Sequence, residues 1–209
     1  MIRILIADDH AIVRRGLKQI LMDDPEFTEI GEAQNAQEVM AQVRAAPWDI
    51  VILDLTLPDK NGLEVLKEIK REKPQIPVLV LSMHPEDQYA VRVLKAGAAG
   101  YLTKDSAPEE LVKAIRKVLK GGRYVSLELA ERLAFDIGPG YEKLSHESLS
   151  DREYQVMCII ASGKTISEVA DQLTISVKTA STYRTRILEK MKMKTSAELT
   201  YYAIHQNLV

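Results

Sequence analysis

Asp49-Ile50-Val51-Ile52-Leu53-Asp54, followed by Leu55-Thr56-Leu57-Pro58, decides how the chain is read. A short, continuous apolar run rich in β-branched residues and closed by a proline-containing turn is the pattern of a strand buried on both faces of a parallel sheet. It leaves a carboxylate, Asp54, where the strand runs out into a loop. In open α/β sheets, ligands bind in the crevice beyond the carboxyl ends of the strands. Asp54 is therefore the first candidate for the reactive residue.

Around this strand the chain alternates. Ile2 to Ala7 is a second apolar run that ends in Asp8-Asp9, and Ile12, Val13, Leu17, Ile20 and Leu21 recur behind it at helical spacing. Thr28 to Ala33 reads as a short strand, and Asn35 with Glu38 as a capping box opening a helix to about Ala46. Asn61 with Glu64 opens another helix, whose apolar positions are Leu63, Leu66 and Ile69. Pro77 to Ser82 and Gly100 to Thr103 read as the fourth and fifth strands, separated by a helix around Glu86 to Ala96. Ser106, Pro108 and Glu109 start a last helix, Leu111 to Leu119. Five strands alternating with five helices predict an α/β, flavodoxin-like, doubly wound parallel sheet, because parallel neighbours need crossovers. No G-x-G-x-x-G follows the first strand and no G-x-x-x-x-G-K-[ST] occurs, so dinucleotide and P-loop nucleotide binding lose their main support.

The strand ends carry the chemistry: Asp8 and Asp9 after the first, Asp54 after the third, Ser82 after the fourth, Lys104 just past the fifth. In the order 2-1-3-4-5 the first and third strands are neighbours, and three carboxylates converge. Two such charges about 4 Å apart repel by roughly 4 kcal/mol at an effective dielectric of 20, so the cluster calls for a cation or for protonation. Hard carboxylate oxygens completed by a backbone carbonyl, waters and phosphate oxygens describe a Mg²⁺ site. Lys104 adds a point charge and Ser82 a hydroxyl, both suited to phosphoryl oxygens, so the chemistry expected is phosphoryl transfer onto Asp54.

With Asp8-Asp9, Asp54, Ser82, Tyr101 and Lys104 in place, residues 1–120 resemble a response-regulator receiver domain. The resemblance implies that Asp54 accepts a phosphoryl group from a sensor histidine kinase, that the acidic pair holds Mg²⁺, and that Thr56, two past the acceptor, lends its carbonyl to the metal. It further implies that Ser82 moves toward the phosphoryl group and that Tyr101 turns inward as a switch. Asp105 follows Lys104 where the family commonly has proline.

Residues 121–148, from Gly121-Gly122 to Ser148, change in composition and read as a linker with one short helix at Leu127 to Phe135 that Gly138-Pro139-Gly140 cannot continue. Beyond it, Ser150 with Glu153, Thr165 with Glu168 and Thr195 with Glu198 repeat the capping-box spacing, and Ser176 is a further N-cap. The helices they predict are Asp151 to Ser162, Ile166 to Leu173, Val177 to Lys192 and Ser196 to Gln206. Only Thr174-Ile175-Ser176 joins the second to the third, the form of a helix-turn-helix. The third helix has an apolar stripe, Val177, Ala180, Ile187, Leu188 and Met191, with Arg184 nearer that side. Opposite lie Lys178, Ser181, Thr182, Thr185, Glu189 and Lys192, the composition of a recognition helix.

Residues 149–209 resemble the LuxR-type helix-turn-helix in Leu149-Ser150-Asp151-Arg152-Glu153, Gly163, Glu168-Val169-Ala170, Ile175-Ser176, Lys178-Thr179, Lys190-Met191 and Ala197-Glu198. Together the two halves resemble a NarL/FixJ-type two-component response regulator. Ser167, Ala180, Ser181 and Tyr183 depart from the residues usual at their positions, so no operator sequence carries over. The resemblance implies a homodimer on promoter DNA with the final helix, Leu199, Tyr202 and Ala203, as its contact, and RNA polymerase as a further partner.

The totals agree with that assignment. A chain of 209 residues with 46% hydrophobic and 28% charged content is ordinary globular composition, long enough for two domains. No apolar run approaches the roughly 18 residues of a membrane span, and the single cysteine, Cys158, fits a reducing cytoplasm. Net charge is only −2, but residues 176–194 hold Lys178, Arg184, Arg186, Lys190, Lys192 and Lys194 against the single acid Glu189, a local footprint for phosphates. Two other classes compete. An aspartyl-phosphate hydrolase would want a second aspartate two past Asp54, where Thr56 stands, and a phosphorylation-gated protein-binding module would not need the basic helix.

Overall fold

The structure, a computed structural model, describes residues 2–83, 86–127, 129–131, 145–206 and 208–209, and the chain divides into two compact units, Met1–Ala134 and Phe135–Val209. Phe135 and Gly138-Pro139-Gly140 lie outside the described residues.

In the first unit, β1 (Ile2–Ala7), β2 (Phe27–Ala33), β3 (Ile50–Asp54), β4 (Val78–Ser82) and β5 (Gly100–Thr103) form one parallel sheet in the order β2-β1-β3-β4-β5. Both β3 and β4 are buried at every residue, which is why they are apolar without alternation. Helices α1 (Ala11–Met22), α2 (Ala36–Ala45), α3 (Gly62–Glu72), α4 (Glu86–Lys95) and α5 (Ala107–Leu119) make the crossovers. On one face Ile4, Ile6, Ile50, Ile52, Leu79, Leu81 and Leu102 pack against Leu17 and Leu21 of α1 and Leu111, Ile115 and Val118 of α5. Strand residues of the other parity face the opposite way, where α2 packs beside α3. Ile12 is 81% exposed, against the sequence expectation. It lies five residues before Leu17, about 140° round the helix, and the buried line runs instead through Arg14, Leu17 and Leu21.

The sheet register places the chemistry. Ala7 pairs with Leu53, Asp54 with Leu81 and Ser82 with Thr103. The residues at these strand ends therefore stand in a row along one edge. After β5 and α5 the chain returns to the sheet: Tyr124 bridges Gly100, its N–H donating to Ala99 O at 2.9 Å and its carbonyl accepting from Tyr101 N at 3.0 Å. The stretch read as the start of a linker thus begins as cover for the edge strand.

The second unit holds a 3-10 turn (Ser145–Ser148) and helices α6 (Asp151–Ala161), α7 (Ile166–Gln172), α8 (Val177–Met191) and α9 (Ser196–His205). Helix α6 packs on α8 and α9, and α7 on α8. Reciprocal capping boxes close at Ser150 with Glu153 and at Thr165 with Glu168. Thr174, between α7 and α8, has φ 51°, and Lys192, ending α8, has φ 57°. Of the apolar stripe on α8, Ala180, Ile187, Leu188 and Met191 are buried, whereas Val177, the helix's first residue, is 52% exposed. Leu199 and Ala203 are fully buried and Tyr202 bonds to His146 Nδ1 at 2.9 Å. Leu199 and Ala203 close the core of the unit, Tyr202 is half-buried, and the exposed apolar groups of α9 are Tyr201 and Ile204. Cys158 is buried in α6 and is in no disulfide.

Candidate functional site

Asp8 and Asp54 leave adjacent strands at matching register, and both are buried. The Lys104 ammonium lies 2.7 Å from Asp8 Oδ2 and 2.7 Å from Asp54 Oδ2. The lysine reaches them because its own N–H extends the β4–β5 ladder, donating to Ser82 O at 2.8 Å. Thr56 N–H donates to Asp54 Oδ1 at 3.2 Å, so the Asp54 carboxylate is held from both sides. The loop after β3 is closed by a bridge between Thr56 and Asn61 and by Gly62 N–H donating to Leu55 O at 2.9 Å.

Burial pushes the Asp54 carboxyl above the usual aspartate range, with nearby Asp8 adding to it, while Lys104 pulls the other way. For Lys104 burial opposes charge, yet the Asp54 and Asp8 carboxylates outweigh it and hold the ammonium above its ordinary value. The pair is therefore a buried carboxylate kept poised by one fixed cation. Tyr101 is fully buried and bonded to Ser82, and burial raises its hydroxyl far above the usual tyrosine value. Its inward position, expected as one state of a switch, is the one this structure has.

Asp9 is partly exposed, and its Oδ1 lies 2.6 Å from His10 Nδ1. One donor atom each from Asp8, Asp9, His10 and Asp54 falls within 4.8 Å of all the others. Asp9 Oδ1 is a buried oxygen that accepts no hydrogen bond, and Asp8 Oδ2 faces the Lys104 ammonium. Hard carboxylate oxygens gathered round one point, the Asp9 oxygen among them without a donor, fit a small divalent cation such as Mg²⁺.

Three contributors were not singled out from sequence. Arg14, in the buried line of α1, donates from Nη1 to Asp8 O at 2.7 Å and from Nε to Glu32 at 3.3 Å, fixing the backbone of the acidic pair. A basic residue three before Leu17 was the available signal. Gly62 sits so close to the end of β3 that a Cβ there would lie 2.2 Å from Asp54 O. His10 stands beside the acidic pair and belonged to no periodic pattern.

On the second unit, Lys178, Ser181, Thr182, Thr185, Arg186 and Lys192 are all exposed along α8. Thr182 and Thr185 donate their hydroxyls to the carbonyls of Lys178 and Ser181, leaving the oxygens outward as acceptors. Two of the basic residues are tied to neighbouring helices instead. Arg184 donates to Ser196 Oγ at 2.8 Å, and Lys190 to the buried Glu153 carboxylate at 2.6 Å, bracing α8 against α9 and α6.

Comparison with known proteins covers both units. Residues 4–116 match the response regulator receiver domain and residues 147–203 the luxR family of bacterial regulatory proteins. The response regulator UvrY of Escherichia coli is 37% identical over 209 residues, covering 100% of this chain and 96% of that protein. The response regulator GacA of Pseudomonas aeruginosa is 36% identical over 210 residues, covering 100% and 98%. Among solved structures, RcsB from Salmonella enterica serovar Typhimurium bound to promoter rprA in the presence of phosphomimetic BeF3- aligns with a TM-score of 0.67 at 27% identity, covering 96% of this chain and 97% of that one.

Proposed function

The chain belongs to the response regulators that join a receiver domain to a luxR-family DNA-binding domain, and from that premise we propose that Asp54 accepts a phosphoryl group from a sensor histidine kinase and thereby governs promoter binding. The observation that carries this is the convergence of two buried carboxylates, Asp8 and Asp54, on the single ammonium of Lys104.

An Asp54 oxygen attacks phosphorus as the bond from phosphorus to the kinase imidazole breaks, and the imidazole leaves with that electron pair. Thr56 N–H and Lys104 orient the attacking carboxylate, and Lys104 then faces the phosphoryl oxygens that replace the lost carboxylate charge. Mg²⁺ held by Asp8, Asp9, Asp54 and the Thr56 carbonyl would neutralise those oxygens. The chain turns over only its own aspartyl phosphate. Ser82 and Tyr101, already bonded to each other, are the groups that register the new charge of about −1.5 to −2. In the second domain Lys178, Arg186 and Lys192 meet backbone phosphates, while Ser181, Thr182 and Thr185 face base edges. RcsB is described bound to DNA, as two dimers on two parallel DNAs in one case, which supports a homodimer here. Such a regulator works in the cytoplasm, and no described helix is long and apolar enough to cross a membrane.

Labelling with acetyl phosphate tests the acceptor. Asp54→Asn is expected to lose all acyl-phosphate label, and a labelled variant overturns the assignment. A gel shift of the labelled protein on promoter DNA, weakening as salt rises, tests the second half.

A further inference from the structure

His10 opens α1 as its N-cap residue, yet its side chain accepts no capping hydrogen bond. What holds it is the acidic pair. Its backbone N–H donates to Asp8 Oδ1 at 2.8 Å, which folds the Asp8-Asp9-His10 turn so that the imidazole stands over both carboxylates. Nδ1 is then hydrogen-bonded to Asp8 Oδ1 at 3.3 Å and lies 2.6 Å from Asp9 Oδ1. The shorter contact lacks hydrogen-bond geometry, since Asp9 Oδ1 accepts no hydrogen bond. Ligands about 2.1 Å from one ion stand about 3 Å apart when adjacent and about 4.2 Å when opposite, so these spacings are those of neighbouring ligands. The side chain is 58% exposed, on the open side of a site whose Asp8 and Asp54 are buried.

We propose that His10 is a nitrogen donor to the divalent-ion site, favouring Zn²⁺ over Mg²⁺ by more than its carboxylates alone would. The inference rests on the proposed function, in which Asp8, Asp9 and Asp54 hold a divalent ion. Oxygen-only sites suit Mg²⁺, whereas a neutral imidazole is a ligand for later and softer ions. On binding, Nδ1 presents its lone pair to the metal; any proton there leaves to solvent, and the ring keeps its hydrogen on Nε2.

The test uses the full chain loaded with Mn²⁺ alone and reads electron spin-echo modulation from a directly bound nitrogen. Wild type is expected to show it and His10→Asn to lose it, while Mn²⁺ stays bound. In parallel, His10→Asn is expected to weaken Zn²⁺ binding at least about tenfold and to change Mg²⁺ binding by less than about twofold. Bound Mn²⁺ without nitrogen modulation, or modulation that survives in His10→Asn, overturns the role of His10 and leaves the carboxylate site standing. Absence of any Mn²⁺ binding sensitive to Asp54→Asn overturns both readings together.

Discussion

Gly62→Ala tests whether the acceptor is placed by backbone packing. The Cβ it adds would lie 2.2 Å from Asp54 O, 2.6 Å from Leu55 Cα and 3.0 Å from Asp54 C. All three are backbone atoms, so no side chain can swing away. Restoring even a tight 3.0 Å contact requires Asp54 O and the start of α3 to part by about 0.8 Å. Overpacking of this kind costs about 1–3 kcal/mol, and displacing a reacting group by about 1 Å costs about a hundredfold in rate. The variant is expected to label with acetyl phosphate about 10- to 100-fold more slowly and to lower the urea midpoint of the receiver transition by about 1 M. Gly16→Ala is the control: nothing lies within 4 Å of its Cβ, it sits exposed inside α1, and alanine there should stabilise by about 0.5–1 kcal/mol without altering labelling. A Gly62→Ala protein that labels at the wild-type rate refutes the packing argument. If it loses stability alone, the backbone of Asp54 is not what the glycine protects.

The Glu153–Lys190 contact makes a pH prediction. Burial works to raise the Glu153 carboxyl, but Lys190 and the Ser150 groups outweigh it and hold it below the ordinary value of 4.5. A depressed folded value means its contribution is complete above that ordinary value and drains as pH falls through the lower folded one. Thermal melts of the C-terminal transition should therefore show a gap between wild type and Glu153→Gln that is constant above about pH 5 and narrows below it. Lys190→Met, which strands the same carboxylate, should cost about 1–2 kcal/mol at neutral pH, and a neutral result would mean the pair does not brace α8. Arg186→Ala combined with Lys192→Ala should reduce the slope of log affinity against log salt by about 2 on any duplex, and an unchanged slope removes these residues from the DNA face. Thr174→Gly should raise stability by about 0.5–1 kcal/mol, because a β-branched residue at φ 51° is strained where glycine is not; a destabilised variant would show that its side chain is needed.

The residues of the site could be read from sequence because a parallel sheet does most of the placing. Once β1, β3, β4 and β5 are recognised, the register Ala7 with Leu53, Asp54 with Leu81 and Ser82 with Thr103 brings Asp8, Asp54, Ser82 and Lys104 to one edge. Contacts that depend on rotamers and turn geometry were not readable in the same way. Ser106 and Glu109 have capping-box spacing, yet Ser106 turns its hydroxyl to Thr103 and does not cap α5. Asn61 caps α3 by accepting from Leu63 and not from Glu64. Identical spacing closes a full box at Ser150 and Thr165, where no competing hydroxyl intervenes. Arg14 was hidden for a different reason: in an amphipathic pattern a charged residue counts as outward, and the buried carbonyl of Asp8 together with the Glu32 carboxylate gives it a reason to point in.

The edge of β5 shows how far such placement reaches. An unpaired edge strand invites association, and here the chain covers its own edge with Tyr124. The fit depends on Gly100, whose Cβ would meet Tyr124 O at 2.6 Å. Tyr124 is further fastened through its hydroxyl to Glu110 on α5, with the Lys117 ammonium 5.6 Å above its ring, and Ser126 bonds to Glu86 on α4. The strand that receives these contacts also carries Tyr101 and leads directly into Lys104. A displacement of β5 in response to charge at Asp54 must carry Tyr124 with it or break the bonds at Ala99 and Tyr101, at about 0.5–1.5 kcal/mol each. The chain leaving the receiver is thus attached to the strand that leads into Lys104, so the site and the exit segment cannot move independently without that cost.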